Sequence, residues 1–177
     1  MKPEAWPQPP QTVTEADAAA VRAQLGRPIR GANAVAWRCP CGQPAVIETE
    51  PRLPDGSPFP TTYYLTCHKA ASAIGRLEAG GVMREMNERI AADPELAAHH
   101  RRAHEDYLER RARLGEVPEI EGISAGGLPE RVKCLHALVG HALAAGPGVD
   151  PFGDEAIERL PEWWANGSCA SGQEAEA

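Results

Sequence analysis

Apolar residues recur every three or four positions along most of this chain, which predicts helices, and every second position over one stretch, which predicts strands. Thr14, followed three residues later by Asp17, approximates a capping box. It opens an Ala-rich helix with Ala18, Val21 and Leu25 on its apolar stripe, closed by Gly26 ahead of Pro28. Between Ala34 and Cys67 the period is two: Val35 and Trp37, then Val46 and Ile47, then Tyr63, Tyr64 and Leu65, separated by Pro- and Gly-rich turns. This predicts three antiparallel strands. The helical period returns from Lys69 with Ile74 and Leu77, and Gly80-Gly81 breaks or kinks the helix before Val82, Met86 and Ile90. Asp93-Pro94 is an N-cap and first-turn proline, so a further helix runs to about Leu114, where Gly115 ends it. Its stripe is Leu96, His100, Ala103, Tyr107 and Leu114. Glu116 to Glu130 reads as a loop, Val132 to Leu143 as a short apolar helix, and Asp154 to Trp164 as a final amphipathic turn or helix.

The fold class that follows is α+β: a mainly helical single domain, residues 14–165, with a small three-stranded antiparallel sheet. Residues 1–13, with Pro3, Pro7, Pro9 and Pro10, have little to bury and are expected to be disordered, as is the acidic tail 166–177. Leu53 to Pro60 is too proline-dense for regular pairing and reads as a rigid loop turned at Asp55-Gly56. A length of 177 residues suits one core and is short for two.

Charge and composition narrow the function classes. A net charge of −7 disfavours nucleic acid as a partner, and no apolar run reaches bilayer-spanning length, so membrane insertion is not expected. The first residues lack a signal-peptide pattern, which makes a cytoplasmic location the expectation. In that compartment five cysteines read as thiols or metal ligands rather than as a disulfide framework.

Three places concentrate chemistry. Cys39-Pro40-Cys41 resembles the knuckle of a zinc ribbon with one spacer residue missing, so one thiol is expected to ligate and Cys41 ranks behind Cys39. Cys67 stands at a helix N-terminus, where amides and the helix dipole favour thiolate. Cys134 and His141 are seven apart and share a helix face, and His136 joins them only if the first turn is irregular. A metal site of Cys39, Cys67, Cys134 and one of His136 or His141 is the leading expectation, with zinc as the ion and an iron–sulfur cluster as the less favoured cofactor. An enzyme is the alternative, with Cys134, His141 and Asp55 as catalytic candidates. The pair His100 and His104 is secondary, being set in an Arg-rich face, and Cys169 falls in the tail and is set aside. Trp163, Trp164 and the helix around Arg110 leave open a protein-partner surface.

The blocks Leu53-Pro54-Asp55-Gly56-Ser57-Pro58-Phe59-Pro60-Thr61-Thr62, Leu65-Thr66-Cys67 and Val132-Lys133-Cys134-Leu135-His136-Ala137 resemble the bacterial domain-of-unknown-function family five hundred and one. The resemblance runs from about Val21 to Ile157, through Arg76-Leu77-Glu78-Ala79-Gly80 and Asp150-Pro151-Phe152-Gly153-Asp154, with Asp150 where the family pattern has Asn. It implies a shared core and site without supplying an activity. Genes for such proteins often lie near those of a septum-formation initiator and an exopolyphosphatase, which implies a role linked to division, envelope or phosphate.

Overall fold

The computed structural model of the chain describes residues 2–4 and 6–170. Four antiparallel strands form one sheet in chain order, β1 (Gln11–Thr12), β2 (Ala32–Arg38), β3 (Pro44–Thr49) and β4 (Tyr63–Leu65). Three are the expected strands. The fourth, β1, comes from the proline-rich start, whose order rests on polar pairing more than on apolar burial. Gln8 exchanges hydrogen bonds with both backbone groups of Arg38, each at 2.9 Å, and the Trp6 indole N–H donates to the Ala142 carbonyl at 2.7 Å.

A register shift between Val35 and Trp37 splits two residues that strict alternation would put on one face. Val35 and Ile47 meet Val21 of helix α1 (Glu15–Leu25), whereas Trp37 and Val46 join the main core on the other side. The sheet is therefore covered on both faces. Helix α1 carries the full capping box, with Thr14 and Asp17 bonding each other's backbone amides, and ends on left-handed Gly26.

The chain then makes α2 (His68–Ala79) and α3 (Val82–Ala92), broken apart by left-handed Gly81. Helix α4 (Pro94–Leu114) follows its Asp93 cap, and α5 (Leu135–Ala145) and α6 (Pro151–Arg159) complete the order. Arg111 takes a buried place in α4, its guanidinium donating to the carbonyls of Pro60, Ile120 and Ile123. Helix α5 is the centre of the core: Leu135, Leu138, Val139, Ala142 and Leu143 are fully buried, with α2, α6 and the sheet packed around them. Helix α6 approaches so closely that a Cβ on Gly153 would stand 2.3 Å from the Leu138 carbonyl oxygen. Beyond α6, Trp163 is buried against Trp37, with ring centroids 6.3 Å apart, so this tryptophan belongs to the core and not to an open partner surface. Of the stretch expected to be a disordered tail, residues 166–170 are held, Lys69 Nζ donating to the carbonyls of Asn166 and Gly167. Residues 171–177 lie outside those described.

One charged group sits in the apolar centre. His141 of α5 is wholly buried, its Nδ1–H donating to Asp150 at 3.1 Å and its Nε2–H to Asp106 at 2.8 Å. Tyr63 stacks on the ring and Tyr107 meets it edge-on, with centroids 6.0 and 5.1 Å away. Burial alone would strip the second proton, but the two carboxylates outweigh it and raise the pKa above the ordinary histidine value. Burial likewise pushes the Asp106 carboxyl upward, and the hydrogen bonds from His141 and Arg110 overcome it and bring it to about 2.

Two measurements test this packing. Gly153→Ala is expected to lower stability by about 2 kcal/mol or more, because the clash is with backbone that cannot rotate away; an unchanged Tm would contradict the close contact. His141→Gln is expected to cost about 3 to 5 kcal/mol near pH 6, leaving two carboxylates without their cation. A raised histidine pKa gives stability that is present below its unfolded value of about 6.5 and lost as the pH rises through the folded value. The gap in Tm between wild type and His141→Gln should therefore narrow as the pH is raised; a gap that widens would mean a neutral ring.

Candidate metal centre

Four thiols from three separate segments gather beside the sheet. Cys39 ends the run that begins with β2, and Cys39-Pro40-Cys41-Gly42 folds into a tight turn closed by Gly42 N–H to the Cys39 carbonyl at 2.8 Å, with Gly42 left-handed at φ 89°. The turn is clamped from outside. The Arg38 guanidinium donates to both carboxylate oxygens of Asp17, at 2.8 and 3.2 Å, and to the Gly42 carbonyl at 3.1 Å. The hydrogen bond from Arg38 is the largest influence on Asp17 and holds its carboxyl at about 2.

In this turn the single spacer does not point the thiols apart. Cys39, Cys41 and Cys169 each offer a sulfur within 4.8 Å of the other two, and Cys41 and Cys169 are 3.4 Å apart. Cys169 is completely buried, and Gln24 of α1 donates from its amide to the sulfur at 3.2 Å and to the Pro44 carbonyl at 2.7 Å. Cys67, the N-cap of α2, is also fully buried, accepts from the Ala70 amide at 3.5 Å, and contacts the sulfurs of Cys39 and Cys169. All are free thiols. Donation from Cys169 and then Cys67 lowers the Cys39 pKa, and the same hydrogen bonds, from Cys39 first, raise that of Cys169. Ionising one of these buried thiols makes ionising its neighbours harder unless a cation is present. The set of buried Cys39 and Cys169 with half-buried Cys41 could hold a metal ion.

The other expected ligands lie elsewhere. Cys134 is the extended N-cap of α5, at φ −148° and ψ 109°, not a residue of its first turn, so the seven-residue spacing to His141 does not put the two on one face. Its thiol, His136 and Glu78 of α2 form a second group, with one donor atom from each within 4.8 Å of the others. His141 has both ring nitrogens committed to carboxylates and keeps no lone pair for a metal. Asp55 accepts from the Ser57 amide at 2.9 Å and pairs with Arg30 at 2.7 Å, a turn former held away from the cysteines by both contacts. His104 bonds Ser124 at 2.7 Å and His100 is buried edge-on against Phe152, so the two do not act as a clamp.

Cys41 and Cys169 are the residues that sequence reasoning ranked low. A signal for Cys169 was there: Trp163 and Trp164 just upstream are large enough to anchor the segment that carries it. For Cys41 there was none, because whether a one-residue spacer converges or diverges depends on the turn.

No helix among the described residues is long and apolar enough to cross a membrane. No curated protein and no solved structure matches this chain. A family described as "Protein of unknown function (DUF501)" matches residues 35–158, a span that holds Cys39, Cys41, Cys67, Glu78, Cys134 and His136 and stops short of Cys169. Since that match takes in well over half of the sequence, and with it both groups of thiols apart from one sulfur, the chain belongs to the DUF501 family.

Proposed function

We propose that this chain is a zinc protein in which Cys39, Cys41, Cys67 and Cys169 close around one tetrahedral ion that ties the sheet, α2 and the segment after α6 together. The observation that carries this reading is the mutual approach of the free thiols of Cys39, Cys41 and Cys169 from distant parts of the chain, with Cys67 interacting with Cys39 and Cys169. Two thiolates on one zinc at about 2.3 Å stand about 3.8 Å apart. The Cys41–Cys169 separation of 3.4 Å and the 4.8 Å limit on the triad fit a single ion better than an iron–sulfur cluster, which holds its ligands farther apart.

The surroundings support the same reading. A cation removes the cost of ionising neighbouring buried thiols, and the amides of Gln24 and Ala70 donate to sulfur as outer partners of a thiolate site do. Four protein thiolates leave no position for water, so the role is structural and the ion contributes folding free energy directly. Reduced thiols of this kind persist in a reducing compartment, which suits a cytoplasmic protein.

Elemental analysis of wild type should find one more equivalent of zinc than in Cys41→Ser or Cys169→Ser, and X-ray absorption should give sulfur-only coordination for that equivalent. Removing that ion with a strong chelator, or making either substitution, should lower Tm by about 10 °C, the shift produced by about 3 to 4 kcal/mol in a domain of this size. Protein that carries no sulfur-bound metal and melts unchanged in chelator would end this reading.

A further inference from the structure

The second thiol group lies outside the four-cysteine cluster and has a different chemistry. Lys133 and Cys134 donate their backbone amides to the Gly126 carbonyl, and Asn87 of α3 grips both backbone groups of Val132, so the chain is fixed as it enters α5. Cys134 stays extended as N-cap while His136 falls in the first turn, and both side chains reach α2. There Glu78 accepts from the Leu135 amide at 2.7 Å and faces His136 Nδ1 at 3.2 Å. On the other side of the ring, His136 Nε2 meets the Ala71 carbonyl at 3.1 Å.

A carbonyl oxygen only accepts, so Nε2 carries a proton and Nδ1 is the nitrogen left for the thiol and the carboxylate. A relay triad would need those two groups at opposite ring nitrogens, and this ring has only one to offer them. Nδ1, a Glu78 oxygen and the Cys134 sulfur are thus three donor atoms gathered around one point, a gap that a proton on Nδ1 or a metal ion can bridge. The nitrogen–oxygen separation of 3.2 Å is close to the edge, about 3.3 Å, of a tetrahedron around an ion bound at about 2.0 Å. The histidine's other nitrogen held by a carbonyl, and the carboxylate held by an amide, are the outer contacts that orient metal ligands.

We propose that Glu78, Cys134 and His136 form a second metal site, one that takes a zinc-class divalent cation and keeps its fourth position open to water or a small anion. One thiolate, one imidazole and one carboxylate suit a borderline cation. Openness follows from exposure, since the His136 and Glu78 side chains are 34% and 21% accessible where Cys39, Cys67 and Cys169 of the other cluster are buried. The two sites are not a binuclear centre. They use opposite ends of α2, Cys67 at its N-cap and Glu78 in its last turn, about 16 Å apart along the axis.

Titration of the metal-free full chain with Co2+, followed by visible absorption, tests the proposal. Wild type should take up two equivalents, the second with the weaker sulfur charge-transfer band of a single thiolate. That second equivalent should be missing from Cys134→Ser and Glu78→Gln and present in Cys41→Ser, which lacks the first. Uptake by wild type of no equivalent that Cys134→Ser lacks, or a second equivalent that survives in Cys134→Ser, would overturn it. A measurement on wild type guards against misfolded variants: Zn2+ should slow alkylation of Cys134, mapped by peptide mass, by about tenfold or more. An unchanged alkylation rate would mean that a proton, not a metal, occupies the gap. Slowed alkylation of Cys134 with no sulfur-only ion would sink the four-cysteine reading and leave this one standing.

Discussion

A positive charge buried in an apolar helix has to be met from outside that helix, and His141 sets this condition for the whole fold. Its ring is enclosed, so each N–H must find its partner on a neighbouring element: Asp106 on α4 on one side, Asp150 ahead of α6 on the other. Asp150 also caps α6 through Gly153, the residue whose missing side chain lets α6 lie against α5. One imidazolium therefore dictates where three helices stand relative to one another. Tyr63, stacked on the ring, extends the constraint to β4, and from β4 the chain runs directly to Cys67.

The N-terminal end of α5 lies against α2, where the Leu135 amide donates to Glu78. This makes α2 the strut between two dissimilar sulfur sites. At its start, Cys67 stands with the buried thiols of Cys39 and Cys169, with amide donors around them. In its last turn, Glu78 meets one thiol and one imidazole at a half-open surface. In the two proposed sites the same side chain, cysteine, would serve permanence in one place and access in the other, the difference lying in burial and in the hardness of its companions.

Much of the architecture could be read from residue order. The capping box at Thr14 and Asp17, the Gly80-Gly81 break, the Asp93-Pro94 start and the apolar run of α5 are local signals, and local signals survive into the structure. What could not be read depends on a contact or on one backbone angle. The bulge that sends Val35 and Trp37 to opposite faces defeats simple alternation. The apolar segment predicts a helical Cys134, and one extended residue at the cap turns its thiol from His141 toward Glu78. His141 looked like a ligand because a buried histidine in an apolar run needs partners; that these are carboxylates was invisible, Asp106 lying within a charged helix and Asp150 in a turn. Chain-distant Cys169 looked like tail because its neighbours are small and polar, and its burial depends on Trp163 docking against a strand made far earlier.

The position of Cys169 also sets an order on biosynthesis. Cys39, Cys41 and Cys67 leave the ribosome with the sheet, whereas Cys169 is made only after every described helix. During that interval the nascent chain presents three of the cluster's thiols and lacks its fourth. Closing the cluster requires α6 to be seated and the segment carrying Trp163 to be laid down over β2. The last cysteine thus works as a clasp that can fasten only over an assembled domain, so completion of the cluster reports that the body of the protein has folded.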